Sequence, residues 1–113
     1  MRQIERQMLQ AVNTPGMNWK NSNTRTRWSD DQKFVEVLLH GHIIASINWA
    51  THTMVISDCN HQTNTTKSRL NALLGELARF QSARITQKNF QWILDRGVKI
   101  CEMKSGFDYC VAI

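Results

Sequence analysis

Apolar residues Ile4, Met8, Leu9, Ala11 and Val12 recur at helical spacing, with Arg2, Glu5 and Arg6 opposite, and predict a short amphipathic helix over about residues 2–12. Asn13-Thr14-Pro15-Gly16 ends it, because Pro15 removes a backbone donor and restricts Thr14 while Gly16 permits positive φ. The period then falls to two. Thr24, Thr26 and Trp28 alternate with Arg25 and Arg27, which predicts a strand with one basic face. Residues 34–39 read as a strand, His40-Gly41-His42 as a tight turn, 43–49 as the returning strand of a hairpin, and 53–56 as a third strand. Over 63–80 the helical period returns. Leu70, Leu73, Leu74, Leu77 and Ala78 form one stripe, Lys67, Arg69, Asn71, Glu76 and Arg79 lie mostly outside it, and Thr65 or Thr66 can cap its start. Four further strands are predicted at 84–87, 90–94, 98–101 and 107–111, with turns at Asp95-Arg96-Gly97 and Lys104-Ser105-Gly106. The expected fold class is α+β. A single domain over residues 1–113 would pack an antiparallel β-sheet of about six to eight strands against one main α-helix, with the short N-terminal helix over an edge or the same face.

The 113 residues suit one hydrophobic core, and a charged fraction of 20% with 42% hydrophobic residues excludes an intrinsically disordered chain. Fourteen Lys and Arg against nine Asp and Glu give a net charge of +5, which favours encounters with phosphate backbones, anionic membranes or acidic proteins. The cations are scattered from Arg2 to Lys104, so only folding can gather them. Cys59, Cys101 and Cys110 are an odd number without a short paired spacing, and point to reduced thiols. The first eight residues are too polar for a signal peptide, and no apolar run is long enough to span a membrane. Neither export by that route nor a membrane partner is expected.

The residues able to ligate a metal are His40, His42, His52, Cys59 and His61, but their spacing lacks the paired pattern of zinc sites. No nucleophile, base and orienting group stand in a recognisable arrangement, so no catalytic residue, metal or cofactor is expected. Thr63-Asn64-Thr65-Thr66-Lys67-Ser68-Arg69 combines a helix start, hydroxyls and two cations. It reads as a well-capped helix or as a phosphate site, and without glycines it is not a P-loop. Arg25, Arg27, Trp28, Lys88, Phe90 and Trp92 mix cations with aromatics on predicted strands, the chemistry by which a sheet holds single-stranded nucleic acid. At least two of Trp19, Trp28, Trp49 and Trp92 are expected in the core.

Four segments carry a resemblance: 21–25, 37–45, 62–71 and 87–92, of which Thr65-Thr66-Lys67-Ser68-Arg69-Leu70-Asn71 is the most distinctive. In these the chain resembles a widespread family of small proteins of tailed bacteriophages and prophages. The resemblance implies phage origin and transfers no site residue. The expectation is a non-enzymatic phage accessory protein in the cytoplasm of the bacterial host, binding nucleic acid through a basic, partly aromatic surface. Arg25, Arg27, Lys67, Arg69 and Lys88 would contact phosphates, and Trp28 or Trp92 would stack on bases. One alternative is an interaction module that self-associates as a homodimer or inhibits a host protein through Met17, Trp19 and Trp28; another is a small metal protein or enzyme built on the histidines and Cys59.

Overall fold

The computed structural model describes residues 2–113. Its helices are α1 (Gln3–Val12) and α2 (Asn64–Leu77), the latter followed by a 3-10 turn, Arg79–Gln81. The strands are β1 (Lys20–Asn21), β2 (Thr24–Trp28), β3 (Phe34–Leu39), β4 (His42–Asn48), β5 (Thr53–Ile56), β6 (Arg84–Lys88), β7 (Gln91–Asp95), β8 (Ile100–Glu102) and β9 (Tyr109–Ala112). The fold is α+β with antiparallel pairing throughout. In place of the single sheet expected there are two, one ordered β1-β2-β3-β4-β5-β9 and one ordered β6-β7-β8. The division arises at β9, which leaves β8 and pairs with β5, Met54 opposite Val111. Alternation fixes which side chains face inward but does not fix the partner strand.

On the large sheet Trp28, Val35, Ile47, Met54 and Val111 stand opposite one another across five strands, and all are buried. β2 shows the predicted period of two, whereas β3 ends in three consecutive buried residues, Val37, Leu38 and Leu39. The β3–β4 pairing shifts between Val37 and Leu38, which leaves Ile44 as an extra residue, and both Ile44 and Ala45 are buried. His40 and Gly41 both take positive φ in the two-residue turn, the geometry that matches strand twist.

Helix α1 lies over this sheet through Met8, Leu9 and Val12. The four carbonyls of its last turn each meet a side chain, Leu9 also accepting the Asn13 N–H at 3.2 Å. Asn13 Nδ2 donates to Leu9 at 2.8 Å, Thr14 Oγ1 to Gln10 at 2.8 Å, Trp28 Nε1 to Ala11 at 3.0 Å and Trp49 Nε1 to Val12 at 3.1 Å. The Trp28 indole, only 7% exposed, thus belongs to the core, which corrects its assignment as a stacking residue. Trp92 is corrected in the same way. At 2% exposure it faces inward from β7 with Leu94, because the small sheet buries that face.

Helix α2 is capped by Thr63 rather than by Thr65 or Thr66 as expected, its hydroxyl accepting from Thr66 N–H at 3.1 Å. Leu70, Leu73 and Leu74 enter the core as its stripe predicts. Arg69, outside that stripe, is nevertheless 4% exposed. Its Nη1 donates to Glu5 Oε2 at 2.8 Å and its Nε to Thr24 Oγ1 at 3.1 Å, while Ser68 Oγ donates to the same Glu5 oxygen. Arg69 is therefore a buried tie between α2, α1 and β2, and is withdrawn from the phosphate contacts. Asn71 performs a second tie. Its amide donates to Ile85 O at 2.9 Å and accepts from Ile85 N–H at 2.7 Å, occupying the free edge of β6 as another strand would. The distinctive sequence around residue 66 is thus largely explained by architecture: a cap, a buried ion pair, a core leucine and an edge clamp.

Candidate nucleic-acid interface at one end of the sheets

Antiparallel strands return to the same end of a sheet, so residues far apart in sequence collect at the start of α2. The β3–β4 turn, the loop after β5 and the first turn of α2 enclose a cleft of about 390 Å³. Its walls include Leu39 and Ile44; its polar groups are His40, His42, Asp58, Cys59, His61, Thr63, Thr65 and Thr66. The His42 and His61 ring centroids are 5.4 Å apart at an interplanar angle of 43°. Sequence spacing separates these histidines; loop closure onto β4 brings them together. Among the described residues no three His, Cys, Asp or Glu side chains are grouped to hold a metal ion.

The loop forming one wall has a strained backbone that its hydrogen bonds hold in place. Cys59 and Asn60 both have positive φ, at 53° and 65°, a conformation that costs a non-glycine residue about 1–2 kcal/mol. Cys59 Sγ donates to Ile43 O at 2.9 Å. Burial, more than any other influence, pushes its thiol above the ordinary range, and the nearby Asp58 and Asp108 charges act in the same direction. A thiol held protonated is a poor nucleophile. Asp58 is 1% exposed, and its Oδ1 accepts from Asn60 N–H at 2.9 Å and Gly106 N–H at 2.8 Å. Among the described residues its Oδ2 has no hydrogen-bond partner.

His40 also borders a neighbouring groove lined by Lys20, Ser22, Asn23, Thr24, Arg25 and Gly41. Lys20 stands directly opposite Arg25 across β1 and β2, and among the described residues neither meets an acid. Facing like charges repel, which makes this edge a place for an anion. On the other flank, Lys67 Nζ donates to Gln87 at 3.1 Å, which sets the first turn of α2 beside the β6–β7 hairpin and Lys88. The first turn of α2 carries no acid, so the positive end of its dipole is uncompensated by its own sequence.

The β6–β7 turn is Asn89-Phe90, with φ of 51° and 65°. Phe90 is 93% exposed. Two-residue turns of this shape favour Asn and Gly, and a bulky residue there is an outlier. The sequence assigns Phe90 to a strand, whereas the structure sets it at the hairpin tip beside Lys88. Asn89 and the inward alternation of Trp92 and Leu94 were the signals for a turn one residue later.

Of the seven residues proposed from sequence for nucleic acid, Arg25, Lys67 and Lys88 lie along this end and are free of acidic partners among the described residues. Arg27 is exposed, but Nε and Nη2 both donate to Glu36 Oε1, at 2.9 Å and 2.7 Å. Trp28, Arg69 and Trp92 are buried. Among the described residues no helix is long and apolar enough to cross a membrane. No curated protein and no solved structure matches the chain. A family model described as Kyanoviridae Gp96 protein matches residues 1–110.

Proposed function

The chain belongs to the Kyanoviridae Gp96 protein family, a family of phage proteins, and from that premise we propose that it is a non-enzymatic accessory protein that binds single-stranded nucleic acid across the α2 end of its sheets. Phe90 carries this reading. An aromatic ring that is 93% exposed on a left-handed backbone does no work for the fold, yet it stands beside Lys88 where a base could stack and its phosphate be neutralised. Lys67 continues the cationic track along α2, and Arg25 and Lys20, beyond the His40-Gly41 turn, extend it to the edge of the large sheet. Stacking on Phe90 requires an unpaired base, which favours a single strand over a duplex.

The test is affinity for fluorescent single-stranded and double-stranded oligonucleotides with wild-type protein and Phe90→Ala. Loss of one stacked base costs about 1–3 kcal/mol, so Phe90→Ala should weaken single-strand binding roughly 5- to 150-fold. Equal affinity of the two proteins would reject the reading.

A second reading has one observation in its favour. Gly97 packs so closely on Gln81 O that an added Cβ would lie 2.7 Å from it, which sets exposed Val98 beside exposed Phe80 at the opposite end. Such a patch suits a protein partner. Trp28, named for that role from sequence, is buried and takes no part.

A further inference from the structure

We infer that the groove between the β1–β2 and β3–β4 hairpin tips seats a terminal phosphate, the phosphomonoester dianion at one end of a nucleic-acid strand, between Lys20 and Arg25. The inference rests on the nucleic-acid reading for the source of the phosphate and gives the bound strand a fixed end.

Charge makes the first part of the case. Lys20 and Arg25 face one another across β1 and β2, both are exposed, and like charges placed directly opposite destabilise a strand pair. On its other side Arg25 stands opposite Leu38 of β3, so neither neighbouring strand supplies it with an acid. Arg27, two residues along on the same face of β2, shows the contrast: it stands opposite Glu36 and donates to it at 2.7 Å. β1 itself is two exposed residues, so its pairing places Lys20 beside Arg25 without adding a side chain to the core. It is also the outermost strand of the large sheet, where the cationic track runs out and a strand terminus would lie.

Shape makes the second part. The groove has a volume of about 300 Å³ and lies between two hairpin tips that are tied together, His40 N–H donating to Asn23 O at 2.8 Å. Gly41 leaves open space where a side chain would stand, so an anion can approach that turn closely. An arginine fork takes two oxygens of a phosphate, and a lysine takes a third as a point charge. The charge count then selects the kind of phosphate. A phosphodiester within a strand has one negative charge and leaves one of the two facing cations unbalanced, whereas a phosphomonoester carries about −1.5 to −2 at pH 7 and offsets both.

The experiment is titration of the full chain with one internally labelled single-stranded oligonucleotide that carries a phosphate at its 5′ end, at its 3′ end or at neither. Beside it, titrations with inorganic phosphate and with a 5′-mononucleotide follow the Ser22 and Gly41 amide chemical shifts. One of the two phosphorylated forms should bind about tenfold or more tighter than the hydroxyl-ended form, the usual worth of a hydrogen bond to a charged group. Both small phosphates should shift the two amides. Lys20→Glu sets an acid opposite Arg25 as Glu36 stands opposite Arg27, so it should bring the ratio between the ends to about one, abolish the amide shifts and leave Tm no lower than wild type. Equal binding of all three forms, or a preference that Lys20→Glu leaves intact, would overturn the proposal; oligonucleotide binding weakened by Phe90→Ala would then still uphold the strand-binding reading. Amide shifts that Lys20→Glu abolishes, without binding of any oligonucleotide, would keep the groove, assign it to small phosphomonoesters, and sink the strand-binding reading instead.

Discussion

Replacing Arg69 with Met separates the two roles this residue could have. The methionine keeps most of the apolar stem and removes the guanidinium, leaving the Glu5 carboxylate buried with only Ser68 as a donor. Breaking a buried pair in this way costs about 3–5 kcal/mol, because the remaining charge stays out of water. Total stability for such a domain is about 5–15 kcal/mol, so a large fraction is at stake. At the usual size scaling Tm should fall by roughly 10–20 °C. Urea denaturation followed by tryptophan fluorescence measures it well, since Trp28 and Trp49 both cap α1, the helix that carries Glu5. Adding Glu5→Leu should recover much of the loss, because an apolar pair no longer strands a charge. An Arg69→Met protein within about 0.5 kcal/mol of wild type, the behaviour of an ordinary surface site, would refute the buried-tie argument.

Asn71→Ala should cost about 1–3 kcal/mol, since Ile85 would lose both partners at the edge of β6; thermal denaturation and amide exchange at Ile85 measure it. Phe90→Gly should raise stability by about 1 kcal/mol by relieving the left-handed backbone, while weakening single-strand binding; a stabilised variant with full affinity would show that the ring has no ligand. Stability should decline as pH rises from the ordinary thiol value of 9.0 toward the raised folded value of Cys59, because the unfolded chain loses that proton first. Cys59→Ser should remove that contribution in alkaline denaturation curves. Exposed Cys110 should alkylate before Cys59 at neutral pH.

Much of the architecture was legible because local rules and tertiary packing agreed. The stripe of α2, the alternation of β2, and His40-Gly41 as a tight turn each point to one structure. Legibility failed where a long-range partner decided the outcome. Arg69 sits off the helical stripe and looked like a surface cation, but its partner lies 64 residues away on α1. Trp28 and Trp92 fit a stacking platform by composition, and only the covering of each sheet face shows them to be core. β9 could not be assigned to β5 from alternation, and Phe90 contradicts the turn preference that would have placed it. The cleft was least legible, since His40, His42, Asp58, His61 and Thr65 meet only after the loop beyond β5 folds back on β4.

Salt dependence of binding to a single-stranded oligonucleotide, compared between wild type and Lys67→Ala/Lys88→Ala, is the most direct measurement. Each phosphate neutralised on a single strand contributes a slope of about −0.7 in log affinity against log salt. The double variant should therefore keep its fold, bind more weakly, and show a slope shallower by roughly 1.4. Absence of binding at low salt, or a slope the double variant leaves unchanged, would contradict a nucleic-acid interface at this end of the molecule.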